Sequence, residues 1–142
     1  MCSGRVDLDF ILRAFSKGQD GVFIGGCKLD ECNYVTHGNY DALNMVLLAR
    51  KIMESIGLNP ERLKLEWVSA SEGMRFADVM NDFSKTLKEL GRLGESERLE
   101  ESVLSFKLEI LQNMVSYMKL VERERLRVPE KSEEAYRTFF AG

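Results

Sequence analysis

A chain of 142 residues, 44% apolar and 30% charged, has the composition of one soluble globular domain with a real core. Its net charge of −3 supplies no bulk field to draw it to nucleic acid or an anionic bilayer, and no apolar run approaches the ~20 residues of a membrane span. The opening, MCSGRVDLDF, has no secretory h-region, so the expected location is cytoplasmic, where three cysteines point to free thiols or metal ligands rather than a disulfide framework.

Asp7 is placed to cap a helix over LDFILRAFSK, in which Leu8, Ile11, Leu12 and Phe15 share one face and Gly18 stops the helix. Val22-Phe23-Ile24 is a short continuous apolar run, predicting a strand covered on both faces that ends in Gly25-Gly26-Cys27. A helix is predicted from about Tyr40 to Ile56, with a narrow polar stripe at Asn44, Lys51 and Ser55. Gly57 and Pro60 supply its stop signals.

Arg62 to Ser69 alternates, with Leu63, Leu65 and Trp67 on one face, and reads as a second strand. Ser69 and Glu72 then have capping-box spacing for a helix carrying Phe76, Val79, Met80, Phe83, Leu87 and Leu90 as far as Gly91. Strand, loop and helix alternate to this point, the order of an α/β domain. From Glu95 to Arg127 there is neither glycine nor proline, and Leu99, Val103, Phe106, Ile110, Met114, Tyr117 and Val121 recur every three or four residues. That pattern suits either an amphipathic helix folded back on the core or an arm that clasps a partner. Pro129 breaks it, and a short segment with Tyr136, Phe139 and Phe140 follows.

The expected architecture is therefore α/β, a domain over 1–91 followed by a helical extension over 92–142 for oligomerisation or partner docking. Two strands make a sheet that is rarely stable alone, and CSGRVD has the composition of a loop leaving a strand. The small parallel sheet thus reads as truncated at its N-terminal edge, its neighbours absent or lent by another chain. In open parallel sheets functional groups gather where loops leave the carboxyl ends of strands. Cys2, the Cys27–Cys32 loop and the Ser69–Glu72 loop would meet there.

Thiolates are soft ligands that suit zinc, copper(I) and iron–sulfur clusters. Cys27 and Cys32 have the C-x4-C spacing that begins a plant-type ferredoxin signature, but Val35 stands where its next cysteine belongs. Cys2, Cys27, Cys32 and His37 would alternatively make a Cys3His zinc set, and free cysteine is also a common small buried apolar residue. Gly25-Gly26 is not a dinucleotide fingerprint. Ser69 and Ser71 have no assignable histidine base. No catalytic residues are expected, and Arg5 is either a counter-charge to an anionic cluster or a surface residue.

The segments MCSGRVD, FILRAF.KG.DGVFIGGC, C.Y..GNY and ERLKLEWVSASEG.RFA, spanning about residues 1 to 90, closely resemble the delta subunit of methyl-viologen-reducing hydrogenase. The resemblance implies an electron relay of methanogens and related anaerobes. It carries a 2Fe–2S cluster and passes electrons from a nickel–iron hydrogenase, or a formate dehydrogenase, toward the flavin of heterodisulfide reductase. Its implied partners are the hydrogenase and heterodisulfide reductase subunits, with a homo-oligomer expected in isolation and no nucleic acid or membrane. The family's cysteines match at Cys2, Cys27 and Cys32, whereas its N-terminal CxxC-like segment has no counterpart here. A fourth ligand would come from His37 or from another polypeptide. The other expectation is a cluster-less or zinc-stabilised structural subunit of the same kind of complex.

Overall fold

The computed structural model describes residues 2–34 and 37–141. Leu8–Ser16 forms α1, capped by the Asp7 carboxylate, which accepts the Asp9 N–H at 2.9 Å. The anticipated apolar face of α1, Leu8, Ile11, Leu12 and Phe15, is wholly buried. Gly18, at φ 78°, lies just past its end.

Val22–Gly26 forms β1, and Gly38–Ile56 (α2) carries the chain across to Leu63–Trp67 (β2). The strands pair in parallel, Val22 opposite Leu63 through Gly26 opposite Trp67. The result is a mixed α/β fold with a small two-stranded sheet. Cover on both faces of β1 is not observed: Ile24 is buried, but Val22 and Phe23 are half-buried and Gly25 is exposed. Phe23 is partly sheltered by Phe76 and Phe83 of Gly73–Leu90 (α3), its ring centroid 6.0 Å from each.

The capping box before α3 is half made. Glu72 accepts the Ser69 N–H at 2.8 Å, but the Ser69 hydroxyl turns to Glu31, and the helix begins only at Gly73. The polar stripe expected on α2 also needs correction. Lys51 and Ser55 face solvent, while Asn44 is buried and donates to Glu122.

The long helix, Glu101–Arg125 (α4), is shorter than the sequence pattern predicts. Gly94 and Arg98 adopt φ of 85° and 55°, so residues 92–99 turn rather than coil into a helix. The cause is Arg62. Its guanidinium is fully buried and forks onto Glu97, with Nε to Oε1 at 2.6 Å and Nη2 to Oε2 at 3.0 Å. It also donates to the carbonyls of Asp20, Leu90, Gly91 and Arg92. Those acceptors fix the path of the α3–α4 connection.

α4 folds back against α1, but not on the stripe expected from sequence. Leu104 and Leu108 enter the main core with Leu111, Val115 and Met118 packed beside them. Val103, Phe106, Ile110, Met114 and Tyr117 face outward. The chain closes with Glu133–Ala141 (α5), whose Tyr136 stacks on Tyr40 of α2 at 5.7 Å between ring centroids. Among the described residues, no helix is long and apolar enough to cross a membrane.

Candidate thiol site

Cys2 lies in extended backbone and caps a single 3-10 turn, Ser3–Arg5, where its sulfur accepts the Gly4 N–H at 3.5 Å. That turn rests on the first turn of α2. A Cβ on Gly4 would stand 2.3 Å from the Gly38 carbonyl oxygen, so this approach of backbone to backbone requires glycine.

Cys27 follows β1, and Cys32 is buried in the loop leading to α2. The Cys2 and Cys32 sulfurs are 3.6 Å apart although 30 residues separate them. Two sulfurs on one tetrahedral metal, at bond lengths of about 2.3 Å, lie about 3.8 Å from each other, so this pair is already spaced for a shared ion. Cys27 feels the same surroundings: burial, then the neighbouring Cys32 sulfur, pushes its thiol up. The Cys32 thiol is held down, chiefly by the Tyr34 N–H working against burial, with the Asn39 N–H and the other two sulfurs contributing.

Gly38 leaves room for the sulfurs. At φ 49°, a Cβ there would sit 2.4 Å from Cys32 Sγ and 3.5 Å from Cys2 Sγ. The soft donor set and this space kept for sulfur suit a thiolate-held metal or cluster. The ligand set is incomplete among the described residues, where no three His, Cys, Asp or Glu side chains form a group that could hold a metal ion. His37 immediately precedes α2, with its side chain 75% exposed and Nδ1 3.5 Å from Asp41 Oδ2. Arg5 is exposed.

The loop after β2 does reach the loop after β1. Lys28 Nζ donates to Glu72 at 3.0 Å, and the Ser69 hydroxyl donates to Glu31 at 3.3 Å. Two further residues belong to this site that motif chemistry does not single out, although both stand in the GNY segment. Asn39 is buried and donates to the carbonyls of Cys27 at 3.0 Å and Lys28 at 2.6 Å, with Cys27 Sγ at 3.9 Å. The Tyr40 hydroxyl donates to Asp30 at 2.9 Å, holding a residue whose φ is 67°. Burial, reinforced by that carboxylate, pushes the Tyr40 phenol up to about 12.

These features define a small α/β domain in which the Cys2 and Cys32 thiols meet beside the loop that leaves the carboxyl end of β1. The chain belongs to the FlpD family, described as methyl-viologen-reducing hydrogenase, delta subunit, whose model matches residues 1–91. It is 49% identical over 90 residues to the iron-sulfur subunit of the F420-non-reducing hydrogenase of Archaeoglobus profundus, covering 63% of this chain and 65% of that protein. Against the iron-sulfur subunit of the vhc F420-non-reducing hydrogenase of Methanococcus voltae it is 45% identical over 91 residues, 64% of this chain and 62% of the relative. It is also 44% identical over 103 residues to one subunit of the ferredoxin/F(420)H(2)-dependent CoB-CoM heterodisulfide reductase of Methanosarcina acetivorans, 72% of this chain and 13% of that protein. The chain thus spans just under two thirds of the hydrogenase subunits and a small part of the reductase subunit.

Proposed function

We propose that this chain is an electron-transfer subunit. It relays electrons through an iron–sulfur cluster, of the 2Fe–2S type, between a hydrogenase or formate dehydrogenase and heterodisulfide reductase. Cys2, Cys27 and Cys32 are the proposed ligands. The observation that carries the reading is the meeting of the Cys2 and Cys32 sulfurs at 3.6 Å inside the segment the family matches. The names of the relatives supply the rest: one is an iron-sulfur subunit of a hydrogenase, another belongs to heterodisulfide reductase. When bound, such a group supplies one-electron redox chemistry. The chain itself contributes the thiolates, a loop fixed by Asn39 and Tyr40, and the space below the sulfurs at Gly38.

The remaining ligand comes from His37 or from a partner polypeptide. Residues 92–142 serve as a docking extension to the 1–91 domain. The test is anaerobic co-expression with the products of neighbouring genes, followed by iron and sulfide assay and visible spectroscopy. Bound iron that disappears in Cys27→Ser and Cys32→Ser is expected, since a hard alkoxide poorly replaces a soft sulfur. His37→Ala assigns the remaining ligand: lost iron makes it His37, and retained iron makes it a group from another chain. A colourless, iron-free wild type would overturn the relay and leave a structural subunit, zinc-stabilised if zinc is found in its place.

A further inference from the structure

The Cys2 and Cys32 sulfurs stand 3.6 Å apart with 30 positions of sequence between them. The sulfurs of a disulfide lie about 2.05 Å apart, so the pair is about 1.5 Å short of a bond. Cys2 is half-buried in extended backbone ahead of the Ser3–Arg5 turn, its sulfur met by the Gly4 N–H at 3.5 Å. Cys32 is buried against Gly38, where a Cβ would come within 2.4 Å of Cys32 Sγ and 3.5 Å of Cys2 Sγ. The Cys27 sulfur has a different neighbour, the Asn39 amide at 3.9 Å. Sequence distance favours another pairing. In an unfolded chain the entropy cost of closing a loop rises with its length, so Cys27 would join Cys32, five residues on, more readily than Cys2 would. The fold instead brings together the distant pair.

We propose that Cys2 and Cys32 close a reversible disulfide in the metal-free protein, by exchange with a low-molecular-weight disulfide. Cys2, the more accessible thiol, attacks one sulfur of the small disulfide as its thiolate, the bond between the small molecule's sulfurs breaks, and one small thiol leaves. Cys32 then attacks the Cys2 sulfur of this mixed disulfide. The protein S–S bond forms and the second small thiol leaves. Two electrons and two protons pass from the cysteines to the small disulfide, which is recovered as two thiols. The reaction requires neither a third ligand nor a metal. Its consequence for loading rests on the electron-carrier reading above. Sulfurs bonded to each other are not thiolates, the form in which cysteine binds metal, so the oxidised chain takes up no iron until a thiol reductant reopens the bond.

The test uses the full 142-residue chain, stripped of metal under dithiothreitol and equilibrated with mixtures of reduced and oxidised glutathione. Free thiols are then blocked with N-ethylmaleimide, and the products are read by intact mass and tryptic mapping. Cleavage after Arg5, Lys28 and Arg50 leaves each cysteine on its own peptide. A chain two hydrogens lighter is expected, with Cys2 linked to Cys32, Cys27 alone blocked, and dithiothreitol restoring all the thiols. Cys27→Ser is expected to close the same bond, and Cys32→Ser to stop at the glutathione adduct of Cys2. In urea the preference is expected to pass to Cys27 and Cys32. Offered iron and sulfide, the reduced wild type is expected to take up iron and the oxidised one none. A bond from Cys27 in the folded wild type, a bond between two chains, thiols that stay blocked at every glutathione ratio, or iron uptake by the oxidised chain overturns the inference. A chain that closes the bond yet never loads iron when reduced overturns the relay and keeps the disulfide. One that loads iron and never closes the bond does the reverse.

Discussion

At the scale of single residues, the site depends on glycines that make room and on an asparagine that holds the loop. Gly38→Ala introduces a methyl 2.4 Å from a buried sulfur and forces an alanine into a positive-φ conformation. Overpacking of this kind costs about 1–3 kcal/mol. Gly38→Ala is expected to lower the urea midpoint by a corresponding amount and to reduce iron loading. Gly25→Ala, whose Cβ would meet only the edge of the Phe23 ring at 3.3 Å, is the milder comparison. Asn39→Ala releases the Cys27 and Lys28 carbonyls together. Its expected signature is faster iron loss to a chelator with the helical circular dichroism signal retained.

Among the elements, the connection from α3 to α4 is held by Arg62 and Glu97. Removing one partner of a buried ion pair costs about 3–5 kcal/mol, so Arg62→Ala is expected to be among the most destabilising substitutions, measured by chemical denaturation. Burial works to raise the Glu97 pKa, but the Arg62 guanidinium and the Asn59 N–H bring it from 4.5 down to about 2. Because this carboxyl titrates lower in the folded chain than in the unfolded one, its contribution is complete above pH 4.5 and is lost as pH falls toward 2. Glu97→Gln is expected to remove that part of the acid dependence. The same pair explains where sequence reading stops short. Local periodicity places α1, both strands and α3 to within a few residues, because each is set by near neighbours. It runs the last long helix from Glu95, because a partner 35 residues away, Arg62, draws Glu97 out of helical geometry. Likewise, the cysteine count, the places of the cysteines after predicted strand ends and the family resemblance nominate Cys2, Cys27 and Cys32 but not Asn39, whose role follows from tertiary proximity.

For the whole molecule, the outward face of α4 is an exposed apolar surface. Phe106 and Tyr117 are 63% and 64% exposed, and Val103, Ile110 and Tyr117 repeat every seven residues with Phe106 and Leu120 in the companion register. We propose that a second copy covers this face in isolation. Antiparallel pairing sets Val103 against Leu120 and Phe106 against Tyr117 of the second copy. Parallel pairing would instead bring Glu124, next in the same seven-residue register, against its own copy. Sedimentation of the 142-residue chain at micromolar concentration is expected to show a dimer. Phe106→Glu combined with Tyr117→Glu is expected to give a folded monomer. A wild-type monomer would sink the proposal and leave the face to a different protein.

Three consecutive residues at the start of α2 govern the cysteine loop. Gly38 fits beneath Cys32, Asn39 fastens the carbonyls of Cys27 and Lys28, and Tyr40 grips Asp30. Electron exchange slows when nuclei around the centre must move as charge arrives, and Cys27, Lys28 and Asp30 are each tied by a hydrogen bond to one helix. If the proposed carrier is seated beside these residues, the first turn of α2 would hold its surroundings still as charge arrives.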